Sequence, residues 1–428
     1  MDTIYALATA RGRAGVAVIR VSGPAAWDAA TTLAGTGLMP RVPSLRKLRG
    51  ACGAVLDTGL VLLFEDGASF TGERVAELMV HGSPAGVAAV EGELGRMPGL
   101  RHAEAGEFTR RALADGRLDL VQVEALADLV DSDTEFQRKQ AIRLLEGAAG
   151  KTIGQWRGKL VRALALLEAG IDFAEEQLGD FMGEISANLE QVIREIDTEL
   201  NGMRARERIR SGFEVAILGP VNAGKSTLLN ALAGREAAIT SHIAGTTRDV
   251  IEVQMDLGGF PVTLLDTAGL RDSDDEIEQI GIARARQRAD DADIRVILLE
   301  HRGADPAVPP RADDIVIVGK ADIQAAGSGG VSGVTGQGID LLLQRLEDRL
   351  QERVTPDGFA VRARHEQGLR AARDRLEKAF GCVQDVDGMV ELAAADISAA
   401  VHALDSLIGK VDVEDLLDDI FASFCIGK

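Results

Sequence analysis

The sequence predicts a multidomain chain of the α/β plus all-α class. It reads as an N-terminal α/β domain, a discontinuous helical domain, and a P-loop nucleotide-binding domain inserted into the helical one. Three observations predict it. Gly219-Pro-Val-Asn-Ala-Gly-Lys-Ser226 fits G-x-x-x-x-G-K-[ST] without mismatch, and the segment Phe213–Leu218 before it reads as a buried strand. Around this loop, strand-like segments at 213–218, 262–265, 294–299 and 315–318 alternate with helical ones, a doubly wound pattern. Proline is absent from Leu100 to Gly219 and again from Asp357 to Lys428, and both stretches carry helical periodicity.

Composition sets the bounds. The chain has 428 residues, room for several cores, with 46% hydrophobic and 27% charged residues, ordinary for a soluble globular protein. A net charge of −20 excludes a generally basic nucleic-acid surface and leaves room only for a local basic patch. Cys52, Cys382 and Cys425 are too scattered for a disulfide framework or a zinc site and fit a reducing cytosol. Met1-Asp2-Thr3-Ile4 lacks the basic start and apolar core of a signal peptide, and no apolar run is long enough to span a bilayer. The expectation is a cytoplasmic protein without membrane partners.

Taken in order, residues 1–118 form the first domain. Val16–Val21, Gly59–Phe64 and Arg74–Val80 read as strands and Ser83–Gly95 as a helix, punctuated by Ser22-Gly-Pro24 and Met97-Pro-Gly99. Residues 119–210 form the first helical part, with stripes Val121, Leu126, Leu129, Val130 and Val161, Leu164, Leu167, Ile171. Residues 211–353 form the nucleotide domain and 354–428 the second helical part. Trp156 reads as a core or interface residue. The run Arg204-Ala-Arg-Glu-Arg-Ile-Arg210 admits two readings, a solvated helix face or a phosphate contact.

The chemistry is concentrated in the nucleotide domain. Backbone N–H groups of a P-loop close around phosphates, Lys225 reaches the β- and γ-phosphates, and the Ser226 hydroxyl is a Mg²⁺ ligand. Asp266-Thr-Ala-Gly269 follows a strand, where an aspartate holds Mg²⁺ through water and the Gly269 N–H senses a γ-phosphate. Gly245-Thr-Thr-Arg-Asp249 lies where a switch loop is expected, with Thr247 completing the Mg²⁺ shell in the triphosphate state. Gly319-Lys-Ala-Asp322 follows Ile315–Val318, and a carboxylate there accepts the N1–H and 2-amino pair that guanine offers and adenine does not. The set, in this order, specifies a Ras-like GTPase.

Several positions depart from the common pattern. Gly319 stands where an asparagine usually contacts the base and braces the P-loop, which implies weaker nucleotide binding or a substitute brace. Ser332-Gly333 replaces a common Ser-Ala. Leu270 occupies the place of the water-orienting glutamine of many small GTPases, so another polar group must position the water. The acidic run Asp272, Asp274, Asp275, Glu276 and Glu278 is the place to look. Asn222 offers an oxygen for a monovalent cation beside the phosphates.

With these residues in hand, the chain resembles the MnmE (TrmE) family of tRNA-modification GTPases over essentially its whole length. Beyond the GTPase motifs, the resemblance rests on Gly12-Arg-Ala-Gly-Val-Ala-Val-Ile-Arg20-Val-Ser-Gly, Ser69-Phe-Thr-Gly-Glu73, Gly106-Glu-Phe-Thr109, Arg117-Leu-Asp-Leu120 and the terminal Phe424-Cys-Ile-Gly-Lys428. It implies a folate-binding, dimerising N-terminal domain and a K⁺-activated GTPase working with an MnmG-type flavoprotein that carries FAD, the two forming a heterotetramer. Together they would install an aminomethyl or carboxymethylaminomethyl group on C5 of the tRNA wobble uridine. The one-carbon unit would come from a tetrahydrofolate derivative, with the 5-formyl or 5,10-methylene form bound.

By position, the resemblance implies GTP contacts from Asn222, Ala223, Gly224, Lys225, Ser226, Thr227, Ser241, Thr246, Thr247, Asp266, Thr267, Ala268, Gly269, Lys320, Asp322 and Ser332. Ser226 and Thr247 would hold Mg²⁺; Asn222, Ser241, Ile243 and Thr246 would surround K⁺, with Ser241 where threonine is usual. Glu278 would position the attacking water beside catalytic Lys225, and Cys425 matches the family's functional cysteine. Arg20, Glu77, Arg117 and Lys428 match folate positions, with arginine at 117 where lysine is common. The alternative is a regulatory GTPase without modification chemistry, such as a ribosome-assembly switch. That reading calls for a basic RNA-binding domain, which the sequence does not display, and leaves the terminal cysteine motif idle.

Overall fold

The computed structural model describes residues 2–172, 179–235, 238, 252–266, 287–306, 308–324, 330–354, 357–385, 390–410, 420–421, 424 and 427. The chain divides into two compact units, Met1–Ala127 with Asp405–Lys428, and Asp128–Leu404.

In the first unit, period-two alternation builds a mixed sheet. Its strands are β1 (Thr3–Leu7), β2 (Ala14–Ser22), β3 (Ser44–Arg49), β4 (Val55–Phe64), β5 (Val75–Gly82) and β6 (Leu100–His102), in the order β3-β4-β5-β2-β1-β6. Only β1 and β6 pair in parallel. Ile19 and Val21 of β2 and Ala76, Leu78 and Val80 of β5 face one side. There they pack with Ala26, Ala30 and Leu33 of α1 (Ala26–Ala34) and Val90 and Leu94 of α2 (Pro84–Leu94). Ser83 caps α2, its hydroxyl accepting the Gly86 N–H at 3.0 Å. Ile4 and Ala6 face the other side with Phe108 of α3 (Glu107–Ala114). Because alternation is strict, Arg20, between Ile19 and Val21, falls on this second face, opposite Glu77 in the β2–β5 register. The helix α4 (Leu120–Val130) buries Val123 against Phe421 and Phe424.

In the second unit, β7 (Phe213–Leu218), β8 (Glu252–Leu257), β9 (Phe260–Asp266), β10 (Ile294–Leu299) and β11 (Ile315–Val318) form a sheet ordered β11-β10-β7-β9-β8. It is parallel except for the β8–β9 hairpin. Its parallel strands are mostly apolar because both faces are covered, whereas the edge strand β8, Glu-Val-Gln-Met-Asp-Leu, alternates. One face packs with Leu228, Leu229 and Leu232 of α8 (Lys225–Ala233) and Leu342, Leu346 and Leu350 of α9 (Ile339–Arg353). The other buries Ala216, Leu218 and Ile297 with Ala289 and Ala292.

The helical layer comprises α5 (Glu135–Leu145), α6 (Ala148–Asp172), α7 (Gly179–Ser211), α10 (Ala363–Gln384) and α11 (Val390–Leu407). The helix α7 packs on α5, α6 and α10, so helices before and after the nucleotide-binding sheet in sequence pack together. The apolar stripes read from sequence hold only in part: Val121 and Leu167 are buried as expected, Val130 and Val161 are not, and the Ile171 side chain lies outside the described residues. Val161 is 42% and Val130 50% exposed, and the buried line of α6 is Ile153, Trp156, Leu160, Ala163 and Leu167. Trp156 sets that phase, being buried with its indole N–H donated to Glu195 Oε2 at 2.6 Å.

In the arginine run at the end of α7, Arg204 is exposed to solvent whereas Arg206 and Arg208 form a joint. Arg206, 2% exposed, donates Nε to Ala360 O at 3.0 Å and Nη1 to Asp357 O at 2.6 Å, while Glu199 Oε2 accepts its Nη2 and the Phe359 N–H, each at 3.0 Å. Arg208 pairs with Asp293 at 3.0 Å, and Asp293 also accepts the Glu214 N–H at the start of β7. Both strands of chain that join the helices to the sheet are thereby fixed.

Candidate active site

The nucleotide site is built where β7 ends. Three positive-φ residues shape its loop: Gly219 at 150°, Asn222 at 66° and Gly224 at 96°. A Cβ at Gly219 would come within 2.7 Å of Leu298 O, so both backbone angle and close approach require glycine there. The turn delivers Lys225 and Ser226 to the first turn of α8, where N–H groups and the helix dipole favour an anion. Lys225 Nζ donates to Gly219 O at 2.8 Å and Pro220 O at 2.9 Å, folded over the loop it serves. Burial lowers the Lys225 pKa from its ordinary value, and the nearby Asp266 charge opposes the shift.

The Ser226 hydroxyl donates to Asp266 Oδ2 at 2.8 Å, bringing α8 and the end of β9 together. A hydroxyl and a buried carboxylate form an oxygen set that fits a hard divalent cation sharing its shell with phosphates and water. Among the described residues no cluster of three or more His, Cys, Asp and Glu side chains offers a different metal site.

On the other side of the P-loop lies a cavity of about 230 Å³, lined by Ala223, Gly224 and Thr227 together with Lys320, Asp322, Ser332 and Gly333. Lys320 adopts φ 51°, which brings its stem to the P-loop, its Cγ 3.6 Å from where a Cβ of Gly224 would stand. Asp322 is exposed at the cavity. Ser332 is buried, and its hydroxyl accepts the N–H groups of Val334 at 3.2 Å and Thr335 at 3.3 Å, closing the loop on itself. Ala223, Gly224, Thr227, Lys320, Asp322 and Ser332 thus line one cavity, while Asn222, Lys225 and Ser226 lie on the adjoining P-loop and start of α8, with Asp266 bonded to Ser226. Ser241, Ile243, Thr246, Thr247, Thr267, Ala268, Gly269 and Glu278 lie outside the described residues, as do Cys425 and Lys428.

The first unit carries a second constellation. Arg20 Nε donates to Glu77 Oε1 at 3.0 Å, and the guanidinium lies over the rings of Phe70 at 5.4 Å and Phe108 at 5.7 Å. Arg117 donates to Gly67 O and pairs with Asp115 at 3.1 Å. Phe70 and Gly67 belong to the loop between β4 and β5, so that loop touches both arginines. Arg111 clamps the same loop: its guanidinium donates to Glu73 at 3.1 and 3.0 Å, to Asp2 at 2.9 Å and to Glu107 at 3.0 Å. Arg101 joins through Glu107 at 2.8 and 2.6 Å. Sequence reasoning named the motifs holding Glu73 and Glu107 but missed Arg111. Its signal was the i,i+4 spacing from Glu107. Gly106 and Gly427 tie the chain end to this unit: a Cβ at Gly106 would meet Phe421 at 2.6 Å and Phe424 at 3.1 Å, and one at Gly427 would meet Leu7 and Ala8.

Comparison with known proteins adds the following. The family model "GTP-binding protein TrmE N-terminus" matches residues 3–117, and the family model "MnmE helical domain" matches residues 120–425. The chain is 55% identical over 429 residues to the tRNA modification GTPase MnmE of Ruegeria pomeroyi, covering 100% of both chains. The protein of that name from Cereibacter sphaeroides is 55% identical over 431 residues, and that from Roseobacter denitrificans 52% over 431, again with 100% of both chains covered.

Proposed function

This chain belongs to the MnmE family of tRNA modification GTPases, and from that membership we propose how its residues share the reaction. It is a GTP hydrolase acting in tRNA modification. In our reading hydrolysis is activated by K⁺ and drives a complex with an MnmG-type flavoprotein, FAD being the partner's cofactor. The product is an aminomethyl or carboxymethylaminomethyl group at C5 of the wobble uridine, and a methylene-tetrahydrofolate supplies the one-carbon unit. The chain works as a homodimer.

Within the nucleotide cleft, Lys225 leaves its two loop carbonyls to meet the β- and γ-phosphates, and its buried position strengthens that contact. Ser226 and, through water, Asp266 would hold Mg²⁺ with Thr247, which neutralises charge building on the phosphates. Asn222, Ser241, Ile243 and Thr246 would hold K⁺. Glu278 takes the water-positioning role that Leu270 cannot fill. Asp322 reads guanine, with Lys320 and Ser332 framing the base.

In the N-terminal unit Glu77 accepts from the folate's pterin edge, Arg20 and Arg117 serve its polar and anionic groups, and Lys428 adds a further cation. Cys425 is the functional cysteine of this reading. The observation that carries the reading is the pairing in one chain of the Ser226–Asp266 oxygen set with the phenyl-walled Arg20–Glu77 pair.

Two measurements on the purified protein test it. GTP turnover in K⁺ should exceed that in Na⁺ by about tenfold or more, and equal rates remove K⁺ from the account. Calorimetric titration with 5-formyltetrahydrofolate should show binding that Glu77→Gln weakens about tenfold or more. Unchanged affinity in that variant takes the folate off this face.

A further inference from the structure

Gly319 and Gly333 are the two departures in the base-binding loops, and the structure gives both the same surroundings. A Cβ at Gly319 would fall far inside van der Waals contact with the carbonyl oxygen of Ala223. A Cβ at Gly333 would stand 2.5 Å from Thr227 O, 2.6 Å from Thr227 C and 2.7 Å from Leu228 N. All of these are backbone atoms of one continuous stretch, the end of the P-loop and the first turn of α8, so no side-chain rotation relieves either contact. Neither glycine has a positive φ, so backbone conformation is not what requires glycine. The requirement is proximity.

Both loops are also anchored from behind. Gly319 N–H donates to Leu299 O at 2.9 Å, Ala321 N–H to Val331 O at 3.1 Å, and Ser332 N–H to Gln337 O at 2.9 Å. The loops that flank the base cavity therefore rest directly on the main chain that holds the phosphates, at Ala223 on one side and Thr227–Leu228 on the other.

We propose that Gly319 and Gly333 are paired specificity-determining positions that brace the guanine cleft by backbone-to-backbone packing, in place of the side-chain brace of the common motif. The reading rests on this cleft being the guanine-nucleotide site. It predicts a sign opposite to motif repair. Installing the usual residue pushes the 319–322 loop off the P-loop, moves Asp322 relative to the base, and weakens binding.

The test is equilibrium binding of the fluorescent analogues mant-GDP and mant-XDP to the full-length protein, with thermal unfolding of each variant. Gly319→Asn and Gly333→Ala should each weaken mant-GDP by about tenfold or more while each variant, though lowered in unfolding midpoint by the overpacking, stays folded at the assay temperature. Gly319→Ala, which adds only the Cβ, should show the same loss and stands in should Gly319→Asn not fold. Gly319→Asn binding mant-GDP as tightly as wild type, or more tightly, overturns the inference. Asp322→Asn separates this outcome from failure of the underlying reading. It should exchange preference from mant-GDP to mant-XDP, and if it leaves mant-GDP binding intact, the cleft does not read guanine by that carboxylate.

Discussion

The hydroxyl of Ser226 hydrogen-bonds the carboxylate of Asp266 at 2.8 Å, joining the first turn of α8 to the end of β9. These two residues stand 40 positions apart in sequence, and the β7–β9 register brings them together by pairing Ile217 with Asp266. The contact gathers the Mg²⁺ oxygens of the proposed mechanism at the edge of the phosphate loop.

Ser226→Ala removes one of those oxygens. Its GTP hydrolysis should fall about 100-fold, a few kcal/mol of lost charge stabilisation, and added Mg²⁺ should no longer tighten nucleotide binding. Titration of Mg²⁺ against turnover and mant-GDP affinity checks this. A variant with wild-type Mg²⁺ dependence places the metal elsewhere.

Phe136 of α5 stacks on Phe260 of the β8–β9 hairpin, centroids 4.2 Å apart and planes within 13°, and the Phe136 N–H donates to Gly259 O at 3.1 Å. The far end of β9 is Asp266, so the helical layer grips the hairpin whose other end enters the proposed Mg²⁺ site. Phe136→Ala should destabilise this unit by about 1–3 kcal/mol, from lost burial and ring contact. Phe136→Leu should recover part of that loss. Denaturant midpoints report both, and an unchanged midpoint for the alanine variant contradicts the grip.

Glu107 gives a pH signature. Burial would raise its pKa, but hydrogen bonds from Arg101, the Glu104 N–H and Arg111 together hold it below its ordinary 4.5. A depressed carboxyl pKa stabilises the fold above the unfolded value, and that stability is lost as pH falls through the folded value. Glu107→Gln should therefore be clearly less stable than wild type at pH 7, with the gap closing below about pH 4. A gap that does not change with pH would show that the network acts through shape rather than charge.

Much of this was legible in the sequence where one residue type answers one physical demand. Phe213–Leu218, Ile294–Leu299 and Ile315–Val318 emerge as strands at the expected bounds because buried parallel strands are mostly apolar, broken here only by Glu214 and Arg295. Glycine, lysine and hydroxyl spacing announced the phosphate loop because few residue types meet its backbone and ligand demands. Strand β3, Ser44-Leu-Arg-Lys-Leu-Arg49, did not announce itself, since half of this exposed edge strand is charged. The phase of α6 was unreadable because its apolar residues encircle more than one face, and only packing around Trp156 selects among them. Arg206 reads like any surface arginine until the chain at 357–360 arrives from 150 residues away, with Asp357 O 151 positions on. The glycine at 319 reads as a deficit in sequence, and only the nearness of Ala223 O turns it into a fit.

The proposed role is that GTP hydrolysis in the nucleotide cleft drives installation of the C5 group on the wobble uridine, the carbon itself coming from the folate. The direct measurement is mass spectrometry of wobble uridines in tRNA from cells lacking this protein, and from the same cells complemented with wild type or with Lys225→Ala. The account predicts that the aminomethyl-type uridines vanish in the deletion, return with wild type and stay absent with Lys225→Ala. Wobble uridines unchanged by the deletion would contradict it.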